Sequence, residues 1–117
     1  MNSCDEGGGA RIEVEARDGT TVLRPHGEMD IERAADFHRR LLTALARDPG
    51  GAAEVVVDLR HLTFCDSAGL HSLLRARTAA SRNGHRLSLA APMDQFLRLL
   101  DLTGTRDLFD IRPAPPF

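Results

Sequence analysis

At 117 residues the chain has room for one hydrophobic core, and with 42% hydrophobic and 27% charged residues it has the composition of a globular protein. No apolar run approaches the ~20 residues that span a bilayer, and a formal net charge of −2, with every basic residue an arginine scattered among acids, does not make a nucleic-acid surface. Two cysteines, Cys4 and Cys65, form neither a disulfide framework nor a zinc spacing. The acidic, glycine-rich start "MNSCDEGGGA" has no apolar core of a secretory signal, so free thiols and a cytoplasmic location are expected.

In "RIEVEA", Ile12, Val14 and Ala16 alternate with Arg11, Glu13 and Glu15, the period of a half-buried strand. The turn signal Asp18-Gly19 leads into "TTVLRPHG", a second strand closing a hairpin and ending at Gly27, where Pro25 removes one ladder donor and argues against a central position. Ala34, Phe37, Leu41 and Leu45, with Leu42 beside them, then fall at helical spacing between Asp30 and the stop Asp48-Pro49-Gly50-Gly51. "AEVVVDL" is apolar without alternation, as in a central parallel strand covered on both faces. A second helix carries Leu70, Leu73 and Leu74 inward and stops at Asn83-Gly84. "RLSLA" is another core strand, "PMDQFLRLLDLTG" a third helix ending at Gly104, and "TRDLFDI" a short last helix or turn. The order predicts an α/β fold: a small mixed β-sheet, a leading hairpin followed by right-handed βαβ crossovers, packed with about four helices. Residues 1–10 are expected as a flexible tail, 11–112 as the domain and 113–117 as a proline-rich tail.

The junction "FCDSAGL", between the buried strand and the second helix, concentrates the candidate chemistry. It has no G-x-G-x-x-G or G-x-x-x-x-G-K-[ST] to cradle a phosphate. Ser67 as a hydrolytic nucleophile, with His26, His61 or His71 as base, lacks the G-x-S-x-G elbow. The five histidines, His26, His38, His61, His71 and His85, show no metal-ligand spacing and read as solvated or edge residues. Asp30 and Ser67 each stand where an N-cap is wanted, worth about 1 kcal/mol, although the capping-box acid is missing three residues on, at Arg33 and Leu70. Two successive polar residues, Asp66 and Ser67, with Gly69 permitting approach from outside, also describe an exposed functional corner; spacing alone leaves both readings open.

The motif Asp58-Leu59, then Leu62-Thr63-Phe64-Cys65, then Asp66-Ser67-Ala68-Gly69-Leu70 resembles that of the STAS-domain anti-sigma factor antagonists of bacterial partner-switching systems. "PHGEMD", with Gly27 and Asp30, and "NGHRLSLAAPMDQFLRLLDLTGTRDLF" are similar to two further segments of that family, so the resemblance spans about residues 11–112. It implies a STAS fold and no catalysis or cofactor. Ser67 becomes the phosphoacceptor of an anti-sigma factor that is also a serine kinase, and Asp30, Asp66, Ala68, Gly69 and His71 join it in the partner surface. The unphosphorylated form then binds the kinase and frees a sigma factor, and a serine phosphatase restores that form. No direct contact with nucleic acid or membrane is implied, and the free protein is expected to be a monomer. The alternative is a STAS sensor or scaffold binding a small ligand or nucleotide at the same corner. Ala68 stands where a second hydroxyl is frequent, Cys65 where a larger aliphatic is common, and His71 where small residues are; Cys65 raises the question of redox sensitivity.

Overall fold

The leading hairpin forms as its turn chemistry requires. In the computed structural model, which describes residues 11–46 and 54–117, β1 (Arg11–Arg17) and β2 (Thr20–Met29) pair antiparallel across Asp18 and Gly19. Both turn residues have left-handed φ, 50° and 81°, the conformation whose twist matches that of the flanking strands. Cys4 and the stop Asp48-Pro49-Gly50-Gly51 lie outside the described residues.

β2 is central, against the expectation drawn from Pro25. Its first half pairs in parallel with β3 (Glu54–Asp58) through Thr20–Leu23, and its end pairs in parallel with β4 (Leu62–Cys65) through Gly27–Met29. Pro25 lies between these two pairings, where β2 changes partner on that side and a missing N–H is tolerated. Gly27 makes the change possible: the register shifts after it, its φ is 80°, and its N–H donates to the His61 carbonyl at 3.0 Å. The strand therefore runs two residues beyond the expected end.

β5 (Arg86–Ala90) and β6 (Asp110–Arg112) extend the sheet in the order β1-β2-β3-β5-β6, with β4 beside the end of β2. The fold is the expected mixed α/β sheet of hairpin and crossovers, with six strands and three α-helices among the described residues, α1 (Ile31–Ala46), α2 (Ser67–Arg82) and α3 (Asp94–Thr103). "TRDLFDI" resolves into a 3-10 turn at Arg106–Leu108 and strand β6.

Val55 and Val57 of β3 join Leu23, Phe37, Leu73 and Phe96 in the main core, whereas Val56 faces the other way with Val22 and Ala90. The continuous apolar run is thus covered on both faces, as its pattern predicts. The second cover is the C-terminal segment: Phe117 packs against that small cluster, Arg24 donates to its carbonyl, and the Arg17 guanidinium lies 4.7 Å from its ring centroid. Leu42, expected beside the inner face of α1, is instead exposed, and His85, expected as a solvated or edge residue, is buried. No helix among the described residues is long and apolar enough to cross a membrane.

Candidate functional site

Two helices begin side by side because two parallel strands end together. Met29 stands opposite Cys65 in the β2–β4 register, so Asp30 and Asp66 leave the sheet as neighbours, and the Asp66 N–H donates to the Met29 carbonyl at 3.2 Å. Each acid caps its own helix. Asp30 Oδ1 accepts from the N–H groups of Glu32 (3.1 Å) and Arg33 (3.2 Å), while Oδ2 accepts from Arg33 Nη1 at 3.0 Å. Asp66 Oδ1 accepts from the N–H groups of Ala68 (2.9 Å) and Gly69 (3.1 Å).

Asp66, not Ser67, is therefore the N-cap of α2. Asp66 has the extended backbone a cap needs, and Ser67 is the first helical residue. Ser67 is exposed, at the corner where the two capped helices begin. His71, one turn further along α2, is exposed as well, and Ala68 is half-buried.

Gly69 has a different reason from the expected one. It is buried, and a Cβ there would meet Cys65 Sγ at 2.7 Å and the Met29 Cγ and carbonyl oxygen at 2.8 Å. Its bareness lets α2 seat directly on the ends of β2 and β4, an approach from inside the domain. The same contact seals Cys65: the side chain is fully buried, and burial, with the Asp66 charge acting in the same direction, pushes the thiol up to about 12. A thiol so placed is inert packing in the folded state.

Residues that periodicity did not single out hold this corner in place. Gln95, in the first turn of α3, accepts from the Cys65 N–H at 3.0 Å and donates to the Cys65 carbonyl at 2.8 Å, pairing with β4 as another strand would. Ser72 Oγ donates to the Ala34 carbonyl (3.1 Å) and the Ala68 carbonyl (3.2 Å), tying α2 to α1 one turn from their starts. Asp58 of the motif is fully buried and anchors the turn before β4, bonded by the backbone N–H of Arg60 (3.1 Å) and by its guanidinium Nη2 (2.9 Å), with Arg24 Nε at 3.3 Å. Burial pushes the Asp58 carboxyl up, and the hydrogen bonds and charge of Arg60, with the charge of Arg24, more than offset this and hold it below its ordinary value.

The histidines considered as bases divide. His26 and His61 stack at 4.6 Å, with His26 Nε2 2.9 Å from Glu13 Oε1, and both lie beyond the opposite end of β4 from Ser67. No group of three or more potential metal ligands occurs among the described residues. What the corner can do is present a hydroxyl. The Ala68 and Gly69 N–H groups beside it are engaged by Asp66, and the residue is exposed.

The family model described as the STAS domain matches residues 11–115. The anti-sigma-B factor antagonist of Staphylococcus aureus is 26% identical over 100 residues, covering 86% of this chain and 90% of that protein. Among solved structures, an anti-sigma factor antagonist from Mycobacterium paratuberculosis superposes with a TM-score of 0.73 at 23% identity, covering 90% of this chain and 86% of the other. The anti-sigma factor antagonist SpoIIAA in its unphosphorylated form superposes with a TM-score of 0.65 at 19% identity, covering 90% of this chain and 89% of the other.

Proposed function

Because the chain belongs to the STAS domain family, we propose that it is an anti-sigma factor antagonist whose unphosphorylated form binds an anti-sigma factor and so frees a sigma factor. In this reading the partner is also a serine kinase, Ser67 is the phosphoacceptor, and a separate serine phosphatase returns the protein to its binding form. The observation that carries it is the exposed Ser67 at the first position of α2, next to its cap Asp66, where α1 with its cap Asp30 also begins.

The kinase supplies ATP and a base: Ser67 Oγ bonds to the γ-phosphorus, ADP leaves, and the hydroxyl proton passes to the kinase. This chain supplies position. A phosphate of about −1.5 to −2 charge is drawn to a helix N-terminus by typically 0.3–1 kcal/mol. Here the Ala68 and Gly69 N–H groups are already taken by Asp66, whose own charge repels the newcomer. The internal effects largely cancel, so the fold persists. In a complex covering the corner the phosphate loses solvent, which costs several kcal/mol unless the partner supplies a cation.

Phosphorylated Ser67 is expected to bind the kinase–ADP complex about a hundredfold more weakly than the unmodified protein, with an unchanged circular dichroism spectrum and melting transition. Equal affinity, or loss of the folded spectrum, rejects this account. Asp30→Asn keeps a cap and removes the charge, so phosphorylation by the kinase should suffer while stability falls by less than about 1 kcal/mol. Wild-type values for both would leave Asp30 a cap alone.

A further inference from the structure

A groove of about 320 Å³ follows the outer seam of the two helices, lined by His38 and Leu42 from α1 and by Arg75, Thr78, Ala79 and Arg82 from α2. Ser67, His71, Arg75, Thr78 and Arg82 recur at steps of three or four along α2, so they share one helical face that begins at the candidate phosphoacceptor. That face is cationic, and the groove lining contains no acid.

Most arginines among the described residues are matched, Arg98 of α3 being, like Arg75 and Arg82, without a carboxylate. Arg24, Arg33, Arg60, Arg106 and Arg112 each meet a carboxylate, and Arg77 donates to the Leu108 carbonyl. Arg75 and Arg82 have no acidic partner among the described residues. Burial holds the His38 imidazole below its ordinary pKa, and the charges acting on it from α2, Arg75 and His71, push in the same direction. Two exposed guanidinium groups on one side of an open groove therefore have no countercharge among the described residues.

We propose that this groove docks an acidic segment of the anti-sigma partner, extending the contact that starts at Ser67; the proposal rests on the reading of Ser67 given above. Charge and spacing suit an acidic segment. Arg82 stands seven positions after Arg75 on the same helical face, a rise of about 10 Å. Two acidic side chains spaced along one strand or helix fit that interval, and Leu42 and Ala79 offer an apolar floor for their methylene groups. Such a patch steers encounter and fixes orientation, so its signature is a salt-dependent association rate.

The first test uses the kinase recovered with Ser67→Ala protein as bait. R75E/R82E is expected to bind it at least about tenfold more weakly, with a flatter salt dependence, while R98E, which alters an exposed arginine of α3, stays within about threefold of wild type. Equal losses in the two variants, or none in R75E/R82E, overturn the proposal. The second test needs no kinase: a glutamate-rich dodecapeptide is titrated into the labelled protein and followed by NMR. Amide shifts confined to residues 38–42 and 71–82, and absent in R75E/R82E, support the groove. Shifts spread over the surface, no shifts, or the same shifts from inorganic phosphate at equal concentration overturn it. Peptide binding in the groove combined with failure of Ser67 phosphorylation supports the groove and removes the reading of Ser67. Normal phosphorylation with unaltered kinase affinity of R75E/R82E does the reverse.

Discussion

Gly69 decides how closely the functional corner can be built. The Cβ of an alanine there would meet two flexible atoms, Cys65 Sγ and Met29 Cγ, and one that cannot yield cheaply, the Met29 carbonyl oxygen. Overpacking of this kind costs typically 1–3 kcal/mol. Gly69→Ala is therefore expected to lower the free energy of unfolding by about 1–3 kcal/mol in urea titration. It should also weaken phosphorylation of Ser67 more than Ala68→Gly does, because the start of α2 must lift from β2 and β4. A variant as stable as wild type would show that α2 has slack at its seat. Asp30 was visible as a cap from residue type and position, and so was the polar pair Asp66-Ser67. The one-residue shift of the cap from Ser67 to Asp66 was not, because either side chain can accept the free N–H groups and the choice depends on where the backbone turns helical. Nor does a glycine's identity say which side it leaves open.

At the scale of the elements, β4 depends on a side chain from elsewhere. Gln95 satisfies both the N–H and the carbonyl of Cys65, and α3 is thereby joined to the strand that delivers Ser67. Gln95→Ala leaves these two groups without their partner, at a cost of about 1–3 kcal/mol. Faster hydrogen exchange should appear at Cys65 and through the first turn of α2, with β1 and β2 unaffected. Uniform exchange across the sheet would mean that the amide clamp has only a global effect. The helices were legible because their apolar residues recur at helical spacing and end at Asn83-Gly84 and Gly104. The strands β4 and β6 were not: "LTFC" buries its two ends and exposes its middle, and "DIR" is three residues long, so neither shows an alternation to read. The central place of β2 was hidden for another reason, since Pro25 counts against a strand unless the change of partner beside it is known.

The whole molecule has an alkaline limit that one side chain controls. The chain contains no lysine and no tyrosine, and arginine stays protonated, so few groups titrate between pH 9 and 12. Cys65 is one of them, its thiol raised by burial, and by Asp66, from 9.0 to about 12. A thiol whose folded pKa exceeds its unfolded value contributes stability that is fully present below the unfolded value and is lost as pH rises toward the folded one. Stability should therefore decline above about pH 9, and Cys65→Ala should flatten that slope whatever it does to the neutral-pH value. Asp58 acts at the other end of the scale: held below its ordinary 3.8, it contributes stability above that value that is lost as pH falls through its folded pKa. Urea titrations at pH 7, 9 and 10.5 on both proteins check the alkaline limit, and parallel slopes would show that Cys65 does not set it. Peptide mapping after brief iodoacetamide treatment at pH 8 should find Cys65 unmodified in the folded protein and modified in urea.

The tight turn at Asp18-Gly19 also gives the sheet an order of assembly. β1–β2 is the antiparallel, local pairing, whereas β3 and β4 must return to β2 across the whole of α1 and the segment after it. Hairpins close in about 1–10 μs, and pairings between distant strands wait for longer loops to close. The hairpin is therefore expected to pair before β3 and β4 join it, although alone it is marginally stable and needs them to persist. During synthesis β1 and β2 leave the ribosome before β4 and α2, so the two strands can meet before the corner that carries Ser67 has been made.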